Sequence, residues 1–303
     1  MIFKKNLNRK NIINSLQNRL NKVCNDHVLA KQEALWLLEK LTKKTKTDLL
    51  LSNNLNLSDE QQQKLEQWIH LRVEEKKPLQ YILETVPFCN LEILLQPPIL
   101  IPRPETEEWC TWLIEKIKQI DLDKSTNKFK ILDIGCGTGA IALSIAKAFP
   151  QITIIGIDIN PNAVKLANKN KKHNEIKNAE FIISDLYENL ENEKFDIIVS
   201  NPPYLSLNEW ANLEKSVKDW EDKKALVGGQ TGLEIYEKII IDANKHLQKN
   251  SLLETNNIPQ IVLEMGEFQA NSLKNLLIQN NFNTISVHKD LEGKNRWICA
   301  KFA

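Results

Sequence analysis

The feature that most constrains this chain is the junction Asp133-Ile-Gly-Cys-Gly-Thr-Gly-Ala140, where an apolar β-type run meets a helical stretch across three closely spaced glycines. Beyond Asn127 the same alternation recurs, and seven strands are expected: Lys130 to Ile134, Ile152 to Ile157, Glu180 to Ser184, Phe195 to Ser200, Gln260 to Met265, Phe282 to His288 and Arg296 to Phe302. The runs Ile131-Leu132, Ile154-Ile155 and Ile197-Ile198-Val199 are apolar at consecutive positions. Such strands are covered on both faces, which predicts a doubly wound α/β sheet rather than a half-solvated one. Asn160-Pro161 reads as the cap and first position of a helix, and Leu233 to Leu247 as another. The last two strands follow one another through Gly293 without a helix, which predicts an antiparallel pair at the sheet edge.

Upstream the texture differs. From Asn11 to Lys77 the apolar residues fall at helical spacing, in stripes such as Ile12, Ile13, Leu16, Leu20 and Val23, then Val28, Leu35, Leu38 and Leu41, then Leu65, Trp68, Ile69 and Val73. Ser58 with Gln61 makes a capping box for the last of these helices, and Pro78 closes it. A proline-punctuated segment with a β-like run at Leu91 to Leu95 reads as a hairpin linker, after which Pro104 opens a helix with an acidic first turn. The expected division is a helical bundle over 1–85, a hairpin linker over 86–104 and the sheet domain over 105–303. A chain of 303 residues has room for two cores.

Composition excludes several function classes. Hydrophobic residues are 42% and charged residues 26%, and 40 Lys+Arg balance 39 Asp+Glu to a formal charge of +1, so no global field draws the chain to nucleic acid or an anionic membrane. The 5 cysteines and 5 histidines are scattered without a CxxC pair, so neither a disulfide scaffold nor a metal site is expected. No apolar run is long enough to span a bilayer. Lys4, Lys5, Arg9, Lys10, Arg19 and Lys22 all precede the first acid, Asp26, as in a mitochondrial presequence; their helical context reads better as the basic outer face of the first bundle helix. The short extension ahead of that helix sets the expectation of a bacterial cytoplasm, with the mitochondrial matrix as the alternative.

The glycine junction reads as a nucleotide-binding element. Gly135, Gly137 and Gly139 permit a tight turn and close approach of the backbone, and the helix amino end behind Cys136, Thr138 and Ala140 favours an anionic group. The pattern also satisfies GxGxxA, so a nicotinamide or flavin dinucleotide fits it equally well at this level. Asp158 ends the second strand, placed for ribose hydroxyls in either reading. Asp185 follows the third, where its carboxylate would accept from an adenine amino group between Ile183 and Leu186.

Directly after the fourth strand stands Asn201-Pro202-Pro203-Tyr204. Asn-Pro-Pro is an ordinary turn starter, but at the carboxyl edge of such a sheet it lies where ligands bind. A planar amide or aromatic amine has a delocalised nitrogen lone pair and must be held and polarised to act as a nucleophile. The Asn201 side-chain oxygen and the Pro202 carbonyl can accept the two N–H bonds of an NH2 group, while Tyr204 stacks on its plane. Positive charge builds on that nitrogen during attack, and carbonyl oxygens already in place stabilise it. No general base is needed, since the alkylated amide is itself a strong acid.

Three acids, Asp133, Asp158 and Asp185, beside a GxGxG turn resemble the S-adenosylmethionine site of the seven-stranded, Rossmann-like methyltransferases. With Asn201 to Tyr204, and with Ile101-Pro-Arg-Pro-Glu-Thr-Glu107, Leu132 to Ala142, Ala225-Leu-Val-Gly-Gly and Leu263-Glu-Met-Gly266, the chain resembles the PrmC/HemK protein-glutamine N-methyltransferases. The resemblance implies an α/β S-adenosylmethionine-dependent methyltransferase domain behind a helical bundle and hairpin. It implies methyl transfer to the glutamine of the Gly-Gly-Gln motif in class I peptide chain release factors, which the bundle would dock. It further implies that Gly135 to Gly139, Asp158, Asp185, Leu186 and Asn201 hold the cofactor, that Asn201 to Tyr204 hold the substrate glutamine, and that Arg103 and Glu105 form a lid. The chain's own Gly228-Gly229-Gln230 is expected to be a coincidental loop sequence, and 249–257 a surface insertion. Three other readings stand beside this one: an adenine amino-methyltransferase of DNA or RNA, against which the balanced charge weighs; a non-catalytic release-factor adaptor, against which the intact Asn201 and glycines weigh; and a dinucleotide oxidoreductase, whose chemistry does not call for Asn-Pro-Pro-Tyr. A monomer without direct nucleic-acid contact is expected.

Overall fold

The structure, a computed structural model, describes residues 9–122 and 128–302. Lys4 and Lys5 of the basic amino-terminal stretch lie outside the described residues. The chain divides into two compact units, residues 9–85 with Glu214–Trp220, and Val86–Leu213 with Glu221 onward.

The first unit is built from α1 (Arg9–Cys24), α2 (His27–Thr42), α3 (Lys46–Leu51), α4 (Asp59–Val73) and α5 (Leu79–Leu83). Ile12, Ile13, Leu16 and Leu20 of α1 are buried as one stripe against Leu35, Leu37 and Leu38 of α2 and Leu65 and Ile69 of α4. Each such side chain contributes about 1.5–3 kcal/mol by leaving water. Val28, expected in the stripe of α2, is instead 79% exposed, because that helix turns Ala30, Ala34, Leu37 and Leu38 inward and Val28 falls outside the arc. The Ser58/Gln61 capping box is formed in full. Pro78 does not end α4, which stops at Val73; it is the N-cap of α5, a helix too short to show a period in the sequence. Arg72 holds the buried carboxylate of Glu33 with two nitrogens, at 2.7 and 2.9 Å, which satisfies a charge that burial alone would penalise.

The second unit opens with the hairpin β1 (Thr85–Phe88) and β2 (Leu91–Leu94), then α6 (Pro104–Ile117), β3 (Lys130–Ile134), α7 (Ala140–Ala148), β4 (Thr153–Asp158), α8 (Pro161–His173), β5 (Ala179–Ile183) and β6 (Ile197–Ser200). It continues through β7 (Leu205–Ser206), α9 (Leu207–Asn212), α10 (Lys215–Lys218, part of the first unit), β8 (Val227–Gly229), α11 (Glu234–His246), α12 (Ser251–Thr255), β9 (Ile261–Glu264), α13 (Ala270–Gln279), β10 (Phe282–Lys289) and β11 (Asn295–Phe302). The seven expected strands form one sheet in the order β10-β11-β9-β6-β3-β4-β5. β9, β6, β3, β4 and β5 run parallel, and their buried residues include the apolar runs of the sequence. β10 is the edge, while β11 is inserted between β10 and β9 and is antiparallel to both.

Two expectations are modified. The hairpin is fastened as well as formed: the buried Asn170 of α8 accepts from Leu94 N–H at 2.7 Å and donates to Leu94 C=O at 3.1 Å, closing both backbone groups of one β2 residue. The 249–257 stretch, expected as a surface insertion, is exposed at 254–257 and also contains the capped helix α12. Asn250 caps α12 and donates to Asp196 at 2.6 Å, and Leu253 and Ile258 are buried, an apolar anchor that the surrounding Asn and Lys residues conceal.

Candidate active site

β3 is the strand from which the chain departs in both directions, with β4 on one side and β6 on the other. Ile134 is in register with Ile157 and with Ser200, so the next residue of each strand, Gly135, Asp158 and Asn201, emerges side by side at the carboxyl edge. This is the switch point at which ligands of open α/β sheets bind. The sheet thus brings together the glycine turn, the second acid and the Asn-Pro-Pro-Tyr segment.

In the turn, Gly135, Gly137 and Gly139 have φ of 71°, 54° and 81°, a region that side chains disfavour. A Cβ on Gly135 or Gly137 would meet open space, whereas one on Gly139 would lie 2.9 Å from the Phe181 ring. The first two therefore leave room for a ligand and the third permits helix–strand packing. Cys136 and Thr138 are 5% and 3% exposed, so their side chains face inward and what they offer a ligand is backbone. The Thr138 carbonyl is itself taken by Asn170 Nδ2 at 2.9 Å. Gly139 caps α7 without a side-chain hydrogen bond, so no cap side chain occupies the amino end of that helix.

The three acids are not equivalent. Asp133 lies inside β3, fully buried, and its Oδ2 accepts from Ala142 N–H at 3.1 Å inside α7. Burial pushes its carboxyl up to about 8, against the pull of that N–H and with the help of the Asp158 charge. It braces the turn from beneath. Asp158 accepts from Gly137 N–H at 2.9 Å and from Asn160 N–H at 2.8 Å, which fixes the carboxylate and leaves each oxygen a further lone pair. Burial raises its pKa and those two N–H groups oppose the rise. Asp185 is exposed beyond the end of β5. It adjoins Ile183, which is 50% exposed, and Leu186, whose φ is 49°. A leucine in that region is strained, and the strain is held by Ser184 Oγ donating to Leu186 C=O at 2.7 Å and accepting from Asn189 N–H at 3.1 Å.

At the other end of the crevice, Asn201 is half-buried and Pro202 buried. Asn201 Nδ2 donates to Thr106 Oγ1 at 3.1 Å; Thr106 donates to Glu264 Oε2 at 2.6 Å, and Trp109 Nε1 donates to the same oxygen at 2.8 Å. Glu264, at the end of β9, is fully buried, and burial raises its pKa while the Thr106 and Trp109 donors oppose it. The Tyr204 carbonyl is clamped by Gln269 Nε2 at 2.9 Å, and Gln269 accepts in turn from Gly266 N–H at 2.9 Å. Burial, with the Glu264 charge, pushes the Tyr204 phenol up to about 12, so it stays neutral. Gly228 and Gly232 lie against the same segment: a Cβ on either would come within 2.3 Å of the Pro203 or Tyr204 carbonyl oxygen. That packing accounts for Gly228; Gly229, at a φ of 130°, would instead set a Cβ 2.3 Å from the Glu234 side chain, and Gln230 after it is exposed.

Nothing in the local sequence pattern gives Thr106, Trp109, Glu264, Gln269, Gly228 or Gly232 a part in the site, although Thr106, Glu264 and Gly228 stand within the segments that carry the resemblance. Arg103 is also placed: it pairs with the buried Glu221 at 2.5 Å. Among the described residues no cluster of His, Cys, Asp and Glu could hold a metal ion, and no helix is long and apolar enough to cross a membrane.

Residues 15–83 match the PrmC N-terminal domain family and residues 112–217 the methyltransferase small domain family. The release factor glutamine methyltransferase of Thermodesulfovibrio yellowstonii is 38% identical over 82% of this chain and 84% of its own length. The chain belongs to the release factor glutamine methyltransferase family. A further member, from Flavobacterium psychrophilum, is 36% identical over 88% of this chain and 90% of its own. Among solved structures, the hMettl16 catalytic domain shares the fold with a TM-score of 0.53 at 15% identity, covering 82% of this chain and 84% of that one.

Proposed function

We propose that this chain transfers a methyl group from S-adenosylmethionine to the side-chain amide nitrogen of the glutamine in the Gly-Gly-Gln motif of class I peptide chain release factors. The observation that carries the reading is the register at the switch point, which sets Asn201-Pro202-Pro203-Tyr204 one residue beyond β6 and beside Gly135 and Asp158.

S-adenosylmethionine fits the crevice. Gly135 and Gly137 leave open the space that a Cβ would fill, Asp158 keeps lone pairs for ribose hydroxyls, and Asp185 with Ile183 and the strained Leu186 offers an acceptor between apolar surfaces for an adenine. When bound, it supplies an electrophilic methyl group on a sulfonium. The protein's part is to hold the amide. Asn201 Oδ1 and the Pro202 carbonyl accept its two N–H bonds, and Tyr204 covers its plane. As positive charge develops on the nitrogen, these fixed oxygens stabilise it without reorganising, a contribution of about 3 kcal/mol by comparison with removal of one oxyanion-hole donor. The neutral Tyr204 takes no proton, and the methylated amide gives its own to water. The helical unit docks the release factor. We further place the protein in the cytoplasm, working as a monomer without direct nucleic-acid contact.

The test is incubation with radiolabelled S-adenosylmethionine and, separately, a release factor, its Gly-Gly-Gln→Gly-Gly-Ala variant, and adenine-containing DNA or RNA. Label on the wild-type factor alone is expected; label on nucleic acid alone overturns the assignment. Asn201→Ala is expected to lower turnover by about a hundredfold or more while cofactor affinity changes little, and Asp158→Ala to do the reverse.

A further inference from the structure

An asparagine amide is useful to the proposed reaction in one of its two orientations only. With Oδ1 toward the substrate it accepts from an NH2 group; turned by 180° it presents N–H against N–H and repels the same group. Something must therefore set the orientation, and the hydrogen bonds beneath Asn201 do so by elimination. The Trp109 indole N–H can only donate, and it donates to Glu264 Oε2. Thr106 has one hydroxyl proton, and at 2.6 Å that proton goes to the same carboxylate oxygen. The Thr106 oxygen then faces Asn201 with lone pairs alone, so the group that meets it at 3.1 Å has to be the Asn201 NH2. The opposite edge of the amide is Oδ1.

From this geometry we infer that Thr106, held by Glu264 and Trp109, is a positioning residue that locks the Asn201 carboxamide with its oxygen toward the acceptor amide. The inference rests on the proposed substrate and deepens it. It gives a reason for two segments distant in sequence to meet here. Thr106 sits in the first turn of α6, one turn before Trp109, so both donors project from one helix face toward one carboxylate. Ser200 is in register with Leu263, so Asn201 and Glu264 are the next residues of neighbouring parallel strands. The lock also bears on specificity. A fixed acceptor edge admits glutamine, which brings donors, and disfavours glutamate, which brings another acceptor. An amide free to turn loses that discrimination.

The lock is tested first without catalysis. In 15N-resolved NMR spectra of the cofactor-free protein, the Asn201 Nδ2 protons are assigned by their loss in Asn201→Ala. One of them is expected to exchange with solvent at least about tenfold more slowly than those of an exposed asparagine. That protection should vanish in Thr106→Val, which keeps the shape and removes the oxygen, and return in Thr106→Ser. Methylation of a release factor is then expected to fall about tenfold or more in kcat for Thr106→Val with KM within about twofold, and to recover in Thr106→Ser. An unprotected Asn201 amide in the wild-type protein overturns the inference even if Thr106→Val fails to fold. So does equal impairment of the Val and Ser variants, which would mark a packing role. A protected, Thr106-dependent amide in a protein that methylates no release factor leaves the lock standing and removes the substrate assignment. Methylation that is indifferent to Thr106→Val does the opposite.

Discussion

Asp133 shows how a single side chain can be mistaken for a ligand when only its position in the sequence is visible. As one of three acids near strand ends it resembles Asp158 and Asp185, yet it is sealed inside β3 and spends a carboxylate oxygen on the amino end of α7. Its carboxyl titrates at about 8 when folded against 3.8 when exposed. Between those values the folded chain keeps a proton that the unfolded chain releases. The stabilisation is therefore complete below about pH 4 and is lost as pH rises toward 8. Asp133→Asn keeps an acceptor for Ala142 N–H but does not titrate. Its melting temperature relative to wild type is expected to rise between about pH 5 and about pH 8.5 in thermal unfolding followed by circular dichroism, and a pH-independent difference would show that Asp133 is ionised throughout.

At the scale of elements, the glycine turn joins two demands that a substitution can separate. Gly135 and Gly139 both have positive φ, so alanine at either costs about 1–2 kcal/mol in backbone strain. Only at Gly139 does the new methyl also collide, with Phe181 at 2.9 Å and Ala167 at 3.0 Å. Gly139→Ala is accordingly expected to lower the melting temperature more than Gly135→Ala. Gly135→Ala, whose methyl enters the open crevice, is expected to lose the larger factor in S-adenosylmethionine affinity by calorimetry. The same ranking in both measurements would contradict the division of labour. Elements with a strong period or a cap were legible in advance: all seven sheet strands, α6 from Pro104, α8 from Asn160-Pro161 and the Ser58 box. The short elements α5, β7, β8 and α12 were not, because two to five residues carry no period and their conformation is imposed by what they touch.

Across the whole molecule, the division into units does not follow the chain. Residues 214–220, which lie between α9 and β8 in sequence, belong to the helical unit, where Trp220 Nε1 donates to Glu75 C=O at 3.0 Å and Lys77 lies 4.8 Å from the Trp220 ring centre. Trp220→Ala removes both contacts and is expected to accelerate proteolytic cleavage within 214–220 at constant protease; unchanged cleavage would show that the tryptophan does not hold this segment. The alternation of apolar runs with capped helices determined by itself that the chain would form a parallel sheet with a glycine turn and Asn-Pro-Pro-Tyr at its carboxyl edge, since periodicity and backbone restriction are local properties. Which side chains support that edge was decided only by the tertiary structure. Thr106 meets Asn201 across 95 residues of chain, Glu264 meets Thr106 across 158 and Gln269 meets Tyr204 across 65, and hydrogen-bond partnership depends on distance in space, on which local pattern is silent.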